Sequence, residues 1–220
     1  MRRGVTLIEA VLFISIALGL IVGGIIFFQQ AALSSRVNTQ TRILGSLFAE
    51  ASGLMKAANA AEWDGGNFNY DRLPEVLIAA GAVPANKIGP PQQFYYPGRA
   101  AFETRLVTEW GTALGGVFGS AGLLSAGAMP GWEGSDKALV GFVLTDLPIE
   151  ACTRLATTDA SGTYRFGVKT WATYFQRPGY DWYETEYGPV SPQRAAELCR
   201  LVGDFDGAVT LHVHAFLDTG

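Results

Sequence analysis

The chain has 220 residues and a mass of 23.5 kDa, room for one domain of ordinary size with an appendage and too little for a multidomain machine. Hydrophobic residues make up 49% and mean hydropathy is +0.19, high for a soluble domain and low for a protein with several membrane spans. With 16 basic against 20 acidic residues, a net charge of −4 and no basic cluster, the chain lacks the grouped Lys/Arg excess that a nucleic-acid partner calls for.

The hydrophobic excess is local. Of the 24 residues Val5–Phe28, 18 are hydrophobic, and without them the chain falls to about 46%, an ordinary globular figure. A helix of that length rises about 36 Å, enough to cross a hydrocarbon core of about 30 Å. The run is too long for the core of a cleaved signal peptide, and no small-x-small cleavage site follows it. A single membrane helix is therefore predicted, with Arg2-Arg3 as a cytoplasmic topology signal; loss of those two residues would take the net charge to −6.

Glu9 is the one charge between Arg3 and Arg36. A carboxylate at that depth is costly unless it is paired or lies at the interface, and a helix N-terminus would favour it. Ser15, Gly19 and Gly23 recur every fourth residue, a stripe of small side chains down one side that lets a second helix approach closely. Gly19, Gly23 and Gly24 are also the points where such a helix could loosen.

From Gln29 the pattern turns amphipathic, with Leu33, Val37, Leu44, Leu47, Phe48, Ala51, Leu54, Met55 and Ala58 at spacings of three, four and seven. One helix from about Thr6 to Ala61 is predicted, about 80 Å long, its first half bare and its second half laid on a domain. Trp63–Asp71 reads as a turn-rich connection. Asp64, Asn67, Asn69 and Asp71 match no calcium-loop spacing, and Asx-turns account for them. Asp71 caps a short helix, Leu73–Ala80, closed by Gly81.

Phe94–Trp110 is ambiguous between helix and strand. Gly111–Gly134 is glycine-rich and reads as a loop packed on a surface or partly disordered; it lacks the Gly-Lys-Ser/Thr of a phosphate-binding loop. Strands are expected at Ala138–Thr145, Tyr164–Phe175 and Ala208–Leu217. Helices between them open at Asp146 or Leu147, running to about Leu155, and at Ser191-Pro192, ending before Gly203. The alternation predicts an α+β fold: a long N-terminal helical stem packed on a mostly antiparallel sheet.

No catalytic constellation is present: there is no GxSxG, and His212 and His214 have no third ligand placed by sequence, so they read as a polar outward strand face. Asp204–Gly207 reads as a turn. No cofactor and no metal site are expected, and the chain is not expected to be an enzyme. Cys152 and Cys199, one on each short helix, read as a disulfide in an oxidising compartment, with two buried thiols as the alternative. Its loop of about 48 residues would stabilise by about 4 kcal/mol in the chain-entropy picture. Tyr180, Trp182, Tyr183 and Tyr187 fall inside that loop, as packing residues or as a surface that binds a sugar or a neighbouring subunit.

Gly4-Val5-Thr6-Leu7-Ile8-Glu9 followed by some twenty uncharged residues resembles the processing site of type IV pilins: a short basic leader ending in Gly, an apolar residue, Thr, two aliphatics and Glu. The resemblance implies cleavage between Gly4 and Val5 by a membrane-embedded prepilin peptidase that also N-methylates Val5. It implies that Glu9 meets the N-terminal ammonium of a neighbouring subunit, and that Ser15, Gly19 and Gly23 pack in a filament core. It also supports pairing of Cys152 with Cys199.

The segments Leu77–Pro84, Trp110-Gly111 and Leu147–Cys152, with a second Cys before a final strand, look like the type IVb subunits of bundle-forming and conjugative thin pili. The Met1–Gly4 leader is shorter than that branch usually carries. The expected division is a leader at 1–4, a transmembrane and filament-core helix at 5–28, an amphipathic stem at 29–61 and a globular head at 62–220.

The implied function is that of a structural subunit of a pilus. It would wait in the inner membrane as a single-pass protein and then be polymerised with copies of itself by an assembly platform and its ATPase into an extracellular filament. Adhesion, aggregation, mating, motility and DNA uptake are the outputs such filaments serve. A minor pilin or a pseudopilin of type II secretion is the near alternative. A single-span, membrane-anchored binding domain is the alternative of another class.

Overall fold

Every strand pairing in the computed structural model is antiparallel, and the last strand of the chain lies in the middle of the main sheet. The structure describes residues 7–57, 72–95, 101–120, 138–178, 183–204 and 207–217. Helix α1 (Leu7–Ala57) is followed by α2 (Arg72–Ala79) and a single 3-10 turn (Ala85–Lys87). Then come β1 (Ile88–Tyr95), β2 (Ala101–Leu106), β3 (Leu114–Ser120), β4 (Ala138–Pro148) and α3 (Ile149–Ala156). The chain closes with β5 (Thr170–Gln176), β6 (Tyr183–Tyr187), α4 (Pro192–Gly203) and β7 (Ala208–Leu217). Strands β1 and β2 form a separate hairpin, and the five-stranded sheet has the order β3-β4-β7-β5-β6. The fold is α+β, a long N-terminal helix packed on an antiparallel sheet.

Helix α1 has 51 residues, about 77 Å of rise. Its C-terminal half buries Val37, Gln40, Leu44, Leu47, Phe48 and Ala51, the stripe that a 3.6-residue period puts on one side. This stripe meets Val140, Phe142 and Leu144 of β4, Phe175 of β5, and Leu211 and Val213 of β7 in one core. Phe48 sets its edge on Phe142, with ring centroids 4.8 Å apart, and stacks on Phe166 at 5.5 Å. The stem is also tied by a polar contact: the backbone N–H of Glu109 donates to Gln40 Oε1 at 2.8 Å, and the Glu109 carboxylate is itself held by Lys87 Nζ of the 3-10 turn at 2.6 Å.

Cys152 of α3 and Cys199 of α4 are fully buried and bonded, with Cα atoms 6.0 Å apart. The bond holds these two helices against the same core. Ser191 caps α4, its side chain accepting from Arg194 N–H, with Pro192 in the first turn, as expected of a Ser-Pro start. Gly81 ends α2 at φ 72° and donates to Ile78 O; Asp71, expected to cap it, lies outside the described residues. The expected calcium-or-turn segment Asp64–Asp71 does too.

Four expectations are corrected. First, the glycine-rich stretch is in part a strand: Leu114–Ser120 pairs residue by residue with β4, from Leu114↔Leu144 to Ser120↔Ala138, while 121–134 lie outside the described residues. The glycines there serve close approach rather than looping. A Cβ on Gly115 would sit 2.5 Å from the Phe94 ring, and one on Gly116 would sit 3.2 Å from Leu73 of α2, so a strand with side chains at both positions could not be sandwiched between hairpin and helix.

Second, the strand expected from Tyr164 begins only at Thr170. Residues 158–169 are turns held by isolated bridges, Thr158↔Tyr164 and Thr163↔Lys169, with Gly162 and Gly167 at positive φ. Third, Asp146 does not open a helix. It sits at φ 50° where the β4–β7 register shifts between Leu144 and Leu147, a bulge that bends the strand; the residue is exposed, and partial desolvation by neighbouring protein raises its carboxyl above the ordinary value. The helix starts after Pro148.

Fourth, His212 and His214 are not outward-facing: both are fully buried. They lie on the sheet face opposite α1, where Tyr174 pairs with His212 and Ala172 with His214 across the β5–β7 ladder. The ambiguous stretch resolves into the end of β1, all of β2 and a tight turn at Thr108–Thr112, closed by Thr108 N–H to Thr112 O at 2.8 Å.

Candidate membrane and assembly surface

The N-terminal half of α1 makes almost no contact with the rest of the chain. From Leu7 to Phe28 every residue is exposed except the half-exposed Ala17, and Leu7, Phe13 and Phe28 are 82%, 75% and 73% exposed. α1 is long and apolar enough to cross a membrane, and the window that meets this test is 0% buried within the fold. A soluble core helix of equal hydropathy would be covered by its own domain. This one is left uncovered by the described residues of its own chain.

The small residues on this helix fit that arrangement. Ser15 Oγ donates to Val11 O at 2.8 Å, so its hydroxyl is satisfied inside the helix and tolerates an apolar surrounding. A Cβ added at Gly19, Gly23 or Gly24 would meet nothing within 4 Å. Glycine costs about 1 kcal/mol relative to alanine in a helix interior, and nothing among the described residues requires it at these positions. That contrasts with Gly115, Gly116 and Gly203, which neighbouring side chains crowd. Glu9 lies in the first described turn of α1, exposed and favourably placed for the helix dipole. Gly4 and Val5 lie outside the described residues.

The second group of expected residues splits. Tyr180 and Trp182 lie outside the described residues. Tyr183 and Tyr187 are on β6, an edge strand rather than a loop, and are 42% and 54% exposed. The sequence Tyr-Glu-Thr-Glu-Tyr alternates with period two. Glu186, on one side, pairs with Arg194 of α4 at 2.5 Å, and the two tyrosines lie on the other.

There Tyr183 meets Tyr174 (5.7 Å between centroids) and Tyr187 meets Trp171 (5.9 Å). Tyr174 in turn sets its ring on His214 at 4.9 Å. His212 Nε2 donates to Gln176 Oε1 at 2.7 Å, and the two imidazoles stack at 6.2 Å. Burial lowers both: His214 to about 3, and His212 well below the ordinary imidazole value, with the charge of His214 adding to the effect on His212. The rings are neutral at pH 7. No group of three or more His, Cys, Asp or Glu that could hold a metal exists among the described residues.

A groove of about 790 Å³ that sequence reasoning did not find lies where the bare half of α1 meets the head. It runs along α1 from Ile26 to Arg36 and is closed by Trp110 and by Arg154 of α3. Arg154 reaches back to the stem, donating to Ser34 Oγ at 2.7 Å across 120 residues of sequence. The signals available in sequence were Arg36, the first cation after the apolar run, and the Trp110-Gly111 pair; neither could say that Arg154 comes to the same place. Comparison with family models, with curated proteins and with solved structures gives no match to this chain.

Proposed function

We propose that this chain is a structural subunit of a type IV pilus-like filament, of the type IVb kind. It is anchored in the inner membrane through α1 until cleavage after Gly4 and then polymerised, with copies of itself replacing the lipid around Leu7–Phe28. The observation that carries this reading is the bare half of α1. It is an exposed apolar helix, continuous with a stem seated on a sheet, and its glycines have no packing reason among the described residues.

The motif Gly4-Val5-Thr6-Leu7-Ile8-Glu9 supports processing and N-methylation of Val5. The buried Cys152–Cys199 bond supports a head that lies beyond the membrane, in an oxidising compartment. Glu9 has a physical role in this scheme. A carboxylate and a terminal ammonium that both leave water are tolerated only as a pair, so pairing rewards correct register between subunits rather than adding much net stability.

Mass spectrometry of the processed protein tests the reading. A mature chain starting at N-methyl-Val5 is expected; an intact Met1 would refute it and leave a single-span anchored domain. Glu9→Ala is expected to leave the head folded, with its disulfide formed, and to abolish filaments in electron micrographs of sheared cells. Wild-type filament yield from that variant would refute the pairing role.

A further inference from the structure

We propose that the groove between the neck of α1 and the head is a binding site for one anionic phospholipid of the leaflet on the head side of the membrane. The proposal rests on the membrane-anchored stage of the reading above and not on polymerisation.

The depth of the groove is set by the helix. The apolar run ends at Phe28, before Gln29-Gln30, and its 24 residues rise about 36 Å, enough to cross a hydrocarbon core of about 30 Å, so the bilayer boundary falls near Phe28. The groove lining on α1 runs from Ile26 to Arg36, about 15 Å of rise that begins inside the hydrocarbon and ends above it. A ligand that fills it must therefore be apolar at one end and polar at the other. Ile26, Phe28 and Leu33 supply the apolar end, and Arg36 and Arg154 the polar end. Trp110 also lines the groove, half-buried, a side chain at home at a membrane boundary.

Charge selects the headgroup. Glu150 also lines the groove, so the balance is two cations against one anion. Among the described residues no carboxylate stands within 4.0 Å of either guanidinium, the ion pairs being Lys87–Glu109, Arg194–Glu186 and Arg194–Glu197. Guanidinium groups bind phosphate oxygens in a fork that an ammonium cannot make, and long Arg side chains reach along apolar surface to the headgroup level. The net positive charge of the groove favours a lipid with net negative charge over a zwitterionic one.

The test uses the full chain with its disulfide intact, in mixed micelles and vesicles of phosphatidylglycerol and phosphatidylcholine, with bound lipid counted by native mass spectrometry. One phosphatidylglycerol retained in preference to phosphatidylcholine is expected, and Arg36→Gln is expected to cut that preference about fivefold. Among the described residues the Arg36 side chain makes no hydrogen bond or ion pair, so this variant does not depend on whether Arg154→Gln, which also loses the Ser34 contact, folds.

Equal retention of the two lipids, or a preference unchanged by Arg36→Gln and by Arg36→Gln/Arg154→Gln, would overturn the proposal. Displacement of the lipid by millimolar inorganic phosphate would also overturn it, assigning the groove to a free anion. A chain that fails to enter the vesicles would overturn the membrane reading together with the site; insertion without selectivity would overturn the site alone.

Discussion

Lowering the pH from 7.5 to 5 should cost this fold about 4 kcal/mol, and the reason lies in two rings. His212 and His214 are the only histidines in the chain, both fully buried, and both are held below the ordinary imidazole value of 6.5 by burial. The unfolded chain therefore binds protons below pH 6.5 that the folded chain refuses, and stability falls as pH falls. The loss continues until the folded value is reached, about 3 for His214. At pH 5, one and a half pH units below the ordinary value, each ring costs about 2 kcal/mol at about 1.4 kcal/mol per unit.

The carboxylates disturb this window little. Asp159, lowered by hydrogen bonds from Ser161 and Thr163, acts only below its ordinary value of 3.8. Asp146, exposed but partly desolvated and so raised, gains a proton in the folded state first and offsets a small part of the loss at the acid end. The assay is urea unfolding of the full chain in neutral detergent with the disulfide intact, followed by near-UV circular dichroism, with proton uptake measured by calorimetry in buffers of different ionisation enthalpy. Uptake of about two protons on unfolding at pH 5 is expected. His212→Gln/His214→Gln should flatten the profile between pH 7 and 5. A flat profile in the unaltered chain would refute the argument, since it would mean that the rings titrate as they do in water.

The remaining predictions concern packing and covalent links. Reducing Cys152–Cys199 should lower the urea midpoint by an amount equivalent to about 2–4 kcal/mol; an unchanged midpoint would mean that the α3–α4 contact needs no bond. Gly115→Ala should destabilise the head by about 1–3 kcal/mol, because the new methyl would overlap the Phe94 ring. Gly19→Ala, on the bare helix with open space around it, should leave head stability unchanged while weakening self-association of the chain in detergent. The comparison fails if the two substitutions act alike.

Legibility followed the range of the interaction. The start of α4 was readable because capping is local: Ser191 satisfies an N–H three residues on, and Pro192 suits a first turn, whereas Gly203, expected just past the end, is the last helical residue. Strand β7 was readable to the residue, Ala208–Leu217, because alternation marks a strand without reference to its partners. Which face of β7 meets solvent was not readable. Alternation puts His212 and His214 on the same side, but whether that side is covered depends on Tyr174 and Trp171 arriving from β5. Strand β3 was misread for a related reason: its glycines look like flexibility until Phe94 and Leu73 are seen to occupy the space that side chains would fill.

By itself the sequence determined a 24-residue apolar run continuous with an amphipathic stem, an α+β head and a pair of cysteines, since hydropathy and periodicity are properties of neighbours along the chain. Only the tertiary structure decided that the apolar half stays uncovered, that the histidines are buried, and that Arg154 joins Arg36 and Trp110 at the neck. Those depend on contacts between segments 36 to 120 residues apart, and such contacts are settled by how the sheet is ordered and by what the helix lies against, neither of which a local pattern encodes.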